Sequence, residues 1–204
     1  FHGAILTAGR QFKKRAYSQA TPSLSRSSAL FRVYKVLFFE RTIGVTPAAR
    51  AFAHVEYLTA FFTFFVVGFV VDDEFYSETT FQGLDVVPWS DALKKYPPSD
   101  YAMHVALSYR GLNSLRENKF KQCQSAGYEL VSYVSSKATI FPDLKLGSNC
   151  FILENQNIQP RVTLEDNVML WSGNHVGHGS TIKEHAYLAS HVVISGHVEI
   201  GRRC

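Results

Sequence analysis

The fold of this chain is decided by residues 140–200, which read IFPDLKLGSNCFILENQNIQPRVTLEDNVMLWSGNHVGHGSTIKEHAYLASHVVISGHVEI. Every sixth residue in this stretch is Ile, Leu or Val, without a gap. These residues are Ile140, Leu146, Ile152, Ile158, Leu164, Leu170, Val176, Ile182, Leu188, Ile194 and Ile200. A period of six fits neither an α-helix, which repeats every 3.6 residues, nor a plain strand, which repeats every two. It is typical of a three-sided solenoid with one short strand per six residues and the aliphatic side chains inside.

A different pattern precedes the solenoid, with strand-like and helix-like segments in alternation. We predict strands at 36–39, 66–71, 84–87, 102–107 and 130–134, and helices at 47–58, 90–96 (with Ser90 as N-cap) and 110–126. Such alternation predicts a small Rossmann-like α/β domain over residues 34–136, followed by the solenoid over 137–204. Parallel sheets bind ligands beyond the carboxyl ends of their strands, here near Glu40, Asp72 and Ser108. Asp72 is therefore a candidate substrate-binding residue.

The first 33 residues form a leader that is basic, rich in serine and free of acidic side chains. This composition suits an organellar transit peptide, and a disordered extension explains it equally well. We expect the leader to lie outside the folded core. The expected location is cytoplasmic, or organellar if the leader is a transit peptide.

Charge, cysteine content and hydropathy disfavour several classes of partner. Seven of the 21 basic residues precede the first acid, Glu40, which leaves 14 basic against 17 acidic side chains in the rest. A groove for nucleic acid needs clustered cations on the folded part, so nucleic acid is not an expected partner. The three cysteines lack zinc-site spacing and are expected to be reduced thiols. The longest apolar run, residues 58–71, is too short to span a bilayer as a helix.

Four motifs resemble one known family. They are VVGF at 66–69 with Asp72 and Asp73, VSYVSS at 131–136, GSNCFI at 147–152 and, most specifically, WSGNHVGH at 171–178. Over residues 34–204 the chain resembles the sialic acid O-acetyltransferase and amino-sugar N-acetyltransferase group of left-handed β-helix enzymes. The resemblance implies a left-handed coil, a homotrimer and active sites between subunits. It also implies that the N-terminal domain holds a sugar or nucleotide-sugar substrate, that the β-helix holds acetyl-CoA, and that no metal takes part.

The same resemblance assigns the residues of an acyl-transfer site. His178 aligns with the family's catalytic base, a role that suits an imidazole near neutral pH. Gly196 lies eighteen residues further on, one coil above, where the family has its acyl-binding glycine, and its N–H could donate to an oxyanion. Many relatives carry an acid directly after the base, whereas Gly179 stands here. His175, Asn174 or a neighbouring subunit's carboxylate would then orient His178, with His175 and Asn174 also candidates for substrate contact.

Two features depart from the family pattern. Residues 39–44 read FERTIG where a glycine-rich loop is usual, and the carboxylate of Glu40 would repel a pyrophosphate. The chain also stops at Cys204 in the middle of a repeat, which predicts a C-terminal truncation that removes coils shaping the CoA site.

Two rival interpretations stay open from the sequence. A zinc hydratase on the same solenoid would use converging histidines, usually with a pair five residues apart, and no such pair is present. His185, His191 and His197 are six apart, so they occupy equivalent corners of different faces and are expected at the surface or an interface. A non-catalytic β-helix that serves as a trimer assembly module is the second alternative.

Overall fold

The structure is a computed structural model that describes the backbone of residues 34–39 and 64–65 and all of residues 66–204. The predicted leader over 1–33, the predicted helix over 47–58 and the turn that follows Phe39 lie outside these ranges. Within the described part, no helix has both the length and the apolar character needed to cross a membrane.

A six-stranded sheet forms the N-terminal part. Its strands are β1 (Tyr34–Phe39), β2 (Phe64–Val71), β3 (Thr80–Phe81), β4 (Leu84–Pro88), β5 (Tyr101–Val105) and β6 (Glu129–Leu130). Their order is β3-β4-β2-β1-β5-β6, and every pair is parallel except β3 with β4. The apolar run at the end of β2 is fully buried at Phe69, Val70 and Val71, as expected of a strand covered on both faces. The sequence pattern missed β3, which has only two residues.

Within the described residues, two helices and a short 3-10 turn (Asp73–Phe75) accompany the sheet: α1 (Trp89–Lys95) and α2 (Ser114–Ser125). Ser90 is not the N-cap of α1. Pro88 takes that position, and the Ser90 N–H instead donates to Asp73 Oδ1 at 3.0 Å. Helix α2 begins four residues later than predicted because residues 111–113 all have positive φ, between 51° and 63°, which a right-handed helix excludes.

The C-terminal part is a three-sided parallel β-helix. Its two-residue strands are β7 (Tyr133–Val134), β8 (Thr139–Ile140), β9 (Lys145–Leu146), β10 (Phe151–Ile152), β11 (Asn157–Ile158), β12 (Thr163–Leu164), β13 (Met169–Leu170), β14 (His175–Val176), β15 (Thr181–Ile182), β16 (Tyr187–Leu188), β17 (Val193–Ile194) and β18 (Glu199–Ile200). Each pairs in parallel with the strand eighteen residues away, which produces three four-stranded sheets. The predicted period is confirmed, and the stacked coils fit a left-handed β-helix.

Most of the repeated aliphatic side chains lie inside the coils, as predicted. The eight from Ile152 to Ile194 are all buried, while Ile140 and Ile200 are half-buried. Leu146 is 38% exposed, so the prediction is wrong there. Its strand β9 belongs to the first coil and pairs only with β12 above it, so the side chain has no coil beneath it.

The corners of the coils carry a second six-residue pattern. Ten successive corner residues have φ between 53° and 77°: Asn149, Asn155, Arg161, Asn167, Gly173, Gly179, His185, His191, His197 and Arg203. Glycine adopts this left-handed conformation without strain, and Asn and His tolerate it better than most side chains. The corners therefore fix where the three C-terminal histidines stand.

The β-helix packs directly against the N-terminal sheet. The predicted strand over 130–134 is in fact two strands: β6 joins the sheet, and β7 opens the β-helix. Tyr133, Phe151 and Met169 form one outer face of the coils and pack with Phe69 and Val71 of the sheet. This apolar layer makes the two parts share a core.

A buried polar ladder reinforces that junction. Asn149 Nδ2 donates to Asn167 Oδ1 at 2.7 Å, and Asn167 Nδ2 donates to His185 Nδ1 at 2.9 Å. At the other end Asn149 Oδ1 accepts the Val105 N–H at 2.7 Å. His185, at the end of this ladder, is buried and not at the surface, and burial lowers the pKa of its imidazole.

Glu117 of helix α2 holds the last corner of the β-helix. Its side chain is fully buried and accepts hydrogen bonds from Arg202, Arg203 and Lys121. The hydrogen bond from Arg203, helped by the other cations, lowers the pKa of Glu117 from 4.5 to about 2. The carboxylate thus connects the helix to the coil through charge-assisted bonds.

We expect Glu117→Gln to lower the free energy of unfolding by about 2 kcal/mol at pH 7, since charged hydrogen bonds are lost. The pKa of Glu117 in the folded state lies below its ordinary value of 4.5, so its stabilisation is complete above that pH. It is lost as the pH falls towards 2, and the difference between wild type and variant should shrink with it. Urea unfolding at pH 7, 4 and 2.5 measures this.

The matched control is Glu129→Gln, because Glu129 is exposed and no ion pair is found for it within the described residues. It should unfold like the wild type at every pH. Equal stability of Glu117→Gln and Glu129→Gln at pH 7 would contradict the assigned role.

Candidate active site

His178 stands at the corner that follows strand β14. Its imidazole is exposed and lies against Gly196 in the coil above. A Cβ at Gly196 would come within 2.8 Å of both Cε1 and Nε2 of the His178 ring, closer than real side chains pack. The structure therefore places the two residues together, as the eighteen-residue spacing predicts, and a side chain at position 196 would require the His178 ring to move.

The backbone N–H of Gly196 is available as a hydrogen-bond donor. The neighbouring amides are used between coils: Gly177 N–H donates to Ile194 O at 2.8 Å, and His197 N–H donates to His178 O at 2.9 Å. For the Gly196 N–H, no acceptor is found among the residues that the structure describes. A free N–H beside an imidazole suits the stabilisation of a developing oxyanion.

The hydroxyl of Ser180 and the thiols of Cys150 and Cys123 are not suited to act as nucleophiles. Ser180 is buried, and its Oγ donates to Ser195 O at 2.9 Å and accepts the Val198 N–H at 3.1 Å. Burial raises the pKa of the Cys150 thiol to about 11 and that of Cys123 to about 12. Both thiols are therefore protonated and unreactive near neutral pH.

Asn174, a candidate for substrate contact, is buried within the coil. Its side chain is 1% exposed, Nδ2 donates to Trp171 O at 2.5 Å, and Oδ1 accepts the Val192 N–H at 2.8 Å. The amide fixes the backbone of the coil from inside. His175 is half-buried on strand β14, beside Asn157 and Val193 of the adjoining coils. In the described part of the chain, no hydrogen bond or ring contact joins either residue to His178.

Asp72 lies at the carboxyl end of β2, as predicted from the sheet pattern. Its mostly buried carboxylate forms an ion pair with Lys119 of helix α2, which also donates to Gln122 Oε1 at 2.8 Å. The contacts found for Asp72 in the described residues are with the sheet and helix, not with the His178 corner. The structure thus has two candidate places: the carboxyl edge of the sheet and a corner of the β-helix.

His197 is a neighbour of His178 that the sequence interpretation missed. The two rings are 4.8 Å apart between centroids and 84° apart in plane, an edge-to-face contact. The six-residue spacing alone groups His197 with His185 and His191. The signal that would have found it is its position eighteen residues after Gly179, directly above the residue that follows His178.

A metal centre is not found in residues 64–204 or in β1, since no three His, Cys, Asp or Glu side chains there are grouped as ligands.

His104 is fully buried, and burial lowers the pKa of its imidazole to about 3, so it is neutral at physiological pH.

The chain is similar to one protein family and to several solved structures. Residues 161–196 match the family described as bacterial transferase hexapeptide (six repeats). PerB from Caulobacter crescentus, solved with CoA and GDP-perosamine, is similar with a TM-score of 0.64 and 20% identity, over 83% of this chain and 75% of that one. The acetyltransferase domain of PglB from Neisseria gonorrhoeae FA1090 is similar with a TM-score of 0.58 and 17% identity, over 82% and 76% of the two chains.

The same PglB domain in complex with acetyl coenzyme A is similar with a TM-score of 0.59 and 18% identity, over 76% of this chain and 70% of that one. No curated protein sequence matches the chain. The resemblance to transferases with hexapeptide repeats is confirmed by the family match over residues 161–196, and the chain shares its fold with PerB and the acetyltransferase domain of PglB.

Proposed function

We propose that this protein is an acetyl-CoA-dependent acyltransferase that acetylates a sugar, with His178 as the general base. The observation that carries the proposal is the contact between the His178 imidazole and Gly196, whose N–H has no acceptor among the described residues. Support also comes from the fold, which is similar to structures that contain CoA with GDP-perosamine or acetyl coenzyme A.

The residues of this corner have the chemistry that direct acetyl transfer needs. Acetyl-CoA supplies an acetyl group activated as a thioester. His178 takes the proton from the hydroxyl or amine of the acceptor as that group attacks, and later returns it to the departing thiolate sulfur. The Gly196 N–H donates to the carbonyl oxygen while negative charge builds on it. Because Ser180, the hydroxyl nearest to the base in the sequence, is buried and bonded to the backbone, we expect transfer without an acyl-enzyme.

The N-terminal sheet is the proposed acceptor site. Without β3, its parallel order β4-β2-β1-β5-β6 follows the pattern of Rossmann-like domains, which bind ligands at the carboxyl edge of the strands. We assign the strands up to β6 to this domain and the coils from β7 onward to a left-handed β-helix. Asp72 at that edge would contact the sugar or nucleotide-sugar, and a homotrimer would complete the active site from a neighbouring subunit.

The test is an acetylation assay on the purified chain. Acetyl-CoA is supplied with a nucleotide-linked amino sugar, a free amino sugar or sialic acid, and acetylated product and released CoA thiol are both measured. Hydroxylamine treatment then separates an O-acetyl ester, which is cleaved, from an N-acetyl amide, which survives. The proposal expects one acceptor to gain a single acetyl group. CoA binding without transfer to any acceptor would favour the assembly-module alternative.

A further inference from the structure

At Gly179, the residue that follows the base, the space beside the backbone is filled by a side chain from the next coil. This corner has φ 67° and no side chain, whereas the family resemblance expects an acid there. The ring of His197, from the coil above, lies over the glycine instead. A Cβ at Gly179 would come within 2.8 Å of His197 Nδ1 and 2.9 Å of its Cε1, so this histidine occupies the volume a larger residue would need.

The same ring also limits the movement of His178. The His178 imidazole has the Gly196 backbone on one side and meets the His197 ring edge-to-face, with 4.8 Å between the centroids. An exposed side chain without packing neighbours samples several rotamers, and holding it in one of them costs conformational entropy. Aromatic contacts of this geometry offset part of that cost.

We propose that His197 is a positioning residue that holds the His178 imidazole against Gly196, in place of the carboxylate expected after the base. This inference rests on the proposed acetyl transfer for its kinetic consequences, although the contact itself does not. The role differs from catalysis, because His197 acts only through His178.

The chain contains a matched control at an equivalent corner. His191 lies over Gly173 in the same way: a Cβ at Gly173 would be 2.7 Å from His191 Cε1 and Nδ1, and the φ of His191 is 60°, as for His197. Asparagine is a suitable replacement for both, since Asn155 occupies a corner of the same kind with φ 58°. His197→Asn and His191→Asn should therefore cost the β-helix similar stability, and only the first alters the surroundings of His178.

The experiment compares kcat, the KM for acetyl-CoA and the histidine ring NMR signals of the wild type and both variants, with melting temperatures recorded for each. We expect His197→Asn to lower kcat by about tenfold through misplacement of the base, with the KM for acetyl-CoA within about twofold. Its His178 ring signals should show rotamer averaging. His191→Asn should keep kcat within about twofold and leave the His178 signals unchanged.

The outcomes separate this proposal from the proposed function. If His197→Asn and His191→Asn have the same kcat and the same His178 signals, the positioning role is overturned. If the wild type acetylates no acceptor, the NMR comparison still decides: altered His178 signals in His197→Asn alone support positioning while acetyl transfer fails. Unchanged His178 signals in both variants overturn the positioning role whether or not the wild type is active.

Discussion

Replacement of His178 by Ala is expected to lower kcat by about 10² to 10⁴, the usual contribution of a general base. The side chain is exposed, and its described contacts are with Gly196 and His197, so its removal leaves the coil intact. Affinity for CoA should stay within about twofold of wild type, because the base acts on the acceptor proton and does not hold the nucleotide. Steady-state kinetics and CoA titration measure the two quantities.

His175→Ala is the comparison for this substitution. His175 is on the same turn of the chain but has no hydrogen bond or ring contact with His178 in the described structure, so its loss should cost much less activity. Normal turnover in His178→Ala, or an acetylated enzyme detected by mass spectrometry after incubation with acetyl-CoA alone, would show that direct transfer with this base is wrong.

The second large effect is expected at Gly196. In Gly196→Ala the added Cβ would lie 2.8 Å from Cε1 and Nε2 of His178, so the imidazole must move away from the backbone N–H. We expect kcat to fall by about 10², since catalytic groups displaced by about 1 Å lose activity on this scale. Gly196 does not have a positive φ, so alanine introduces no backbone strain, and melting temperature should change little.

Gly201→Ala is the matched control, because no atom lies within 4 Å of a Cβ added there and its φ is not positive. Its kcat should equal that of the wild type. If Gly196 acts through His178, the Gly196→Ala change should cost little further activity in a His178→Ala background. A Gly196→Ala enzyme as active as Gly201→Ala would remove Gly196 from the site.

The β-helix could be predicted from the sequence because one periodic pattern specifies it. Eight repeated aliphatic residues are buried where the period of six puts them, and the exception, Leu146, fails because periodicity does not say which coil is the first. The same period placed Gly196 above His178. Spacing within a solenoid therefore predicts contacts between successive coils.

The six-residue period does not predict how other elements pack against the coils. His185 and His191 occupy equivalent corners, yet His185 is buried because Phe120 and Glu117 of helix α2 lie against it. Nothing in the repeat distinguishes the two. The repeat alone could not predict the contact between His197 and His178, because this contact depends on the missing side chain at Gly179.

The burial of Asn174 could have been predicted from a second pattern in the sequence. From Leu146 onward, the residues two positions before each repeated aliphatic form a second six-residue series that is also inward and mostly small or apolar: Leu144, Cys150, Gln156, Val162, Val168, Asn174, Ser180, Ala186, Val192 and Val198. Membership of this series predicts a buried amide bonded to the backbone, which is what Asn174 has.

We expect acetyl transfer to take place at the corner formed by His178 and Gly196, and a crystal structure of the protein with bound acetyl-CoA would locate the thioester. The acetyl carbonyl oxygen should lie about 3 Å from the Gly196 N–H. His178 Nε2 should face the side from which an acceptor would approach. A thioester bound at another corner, such as that of Gly173 and His191, would show that the assigned site is wrong.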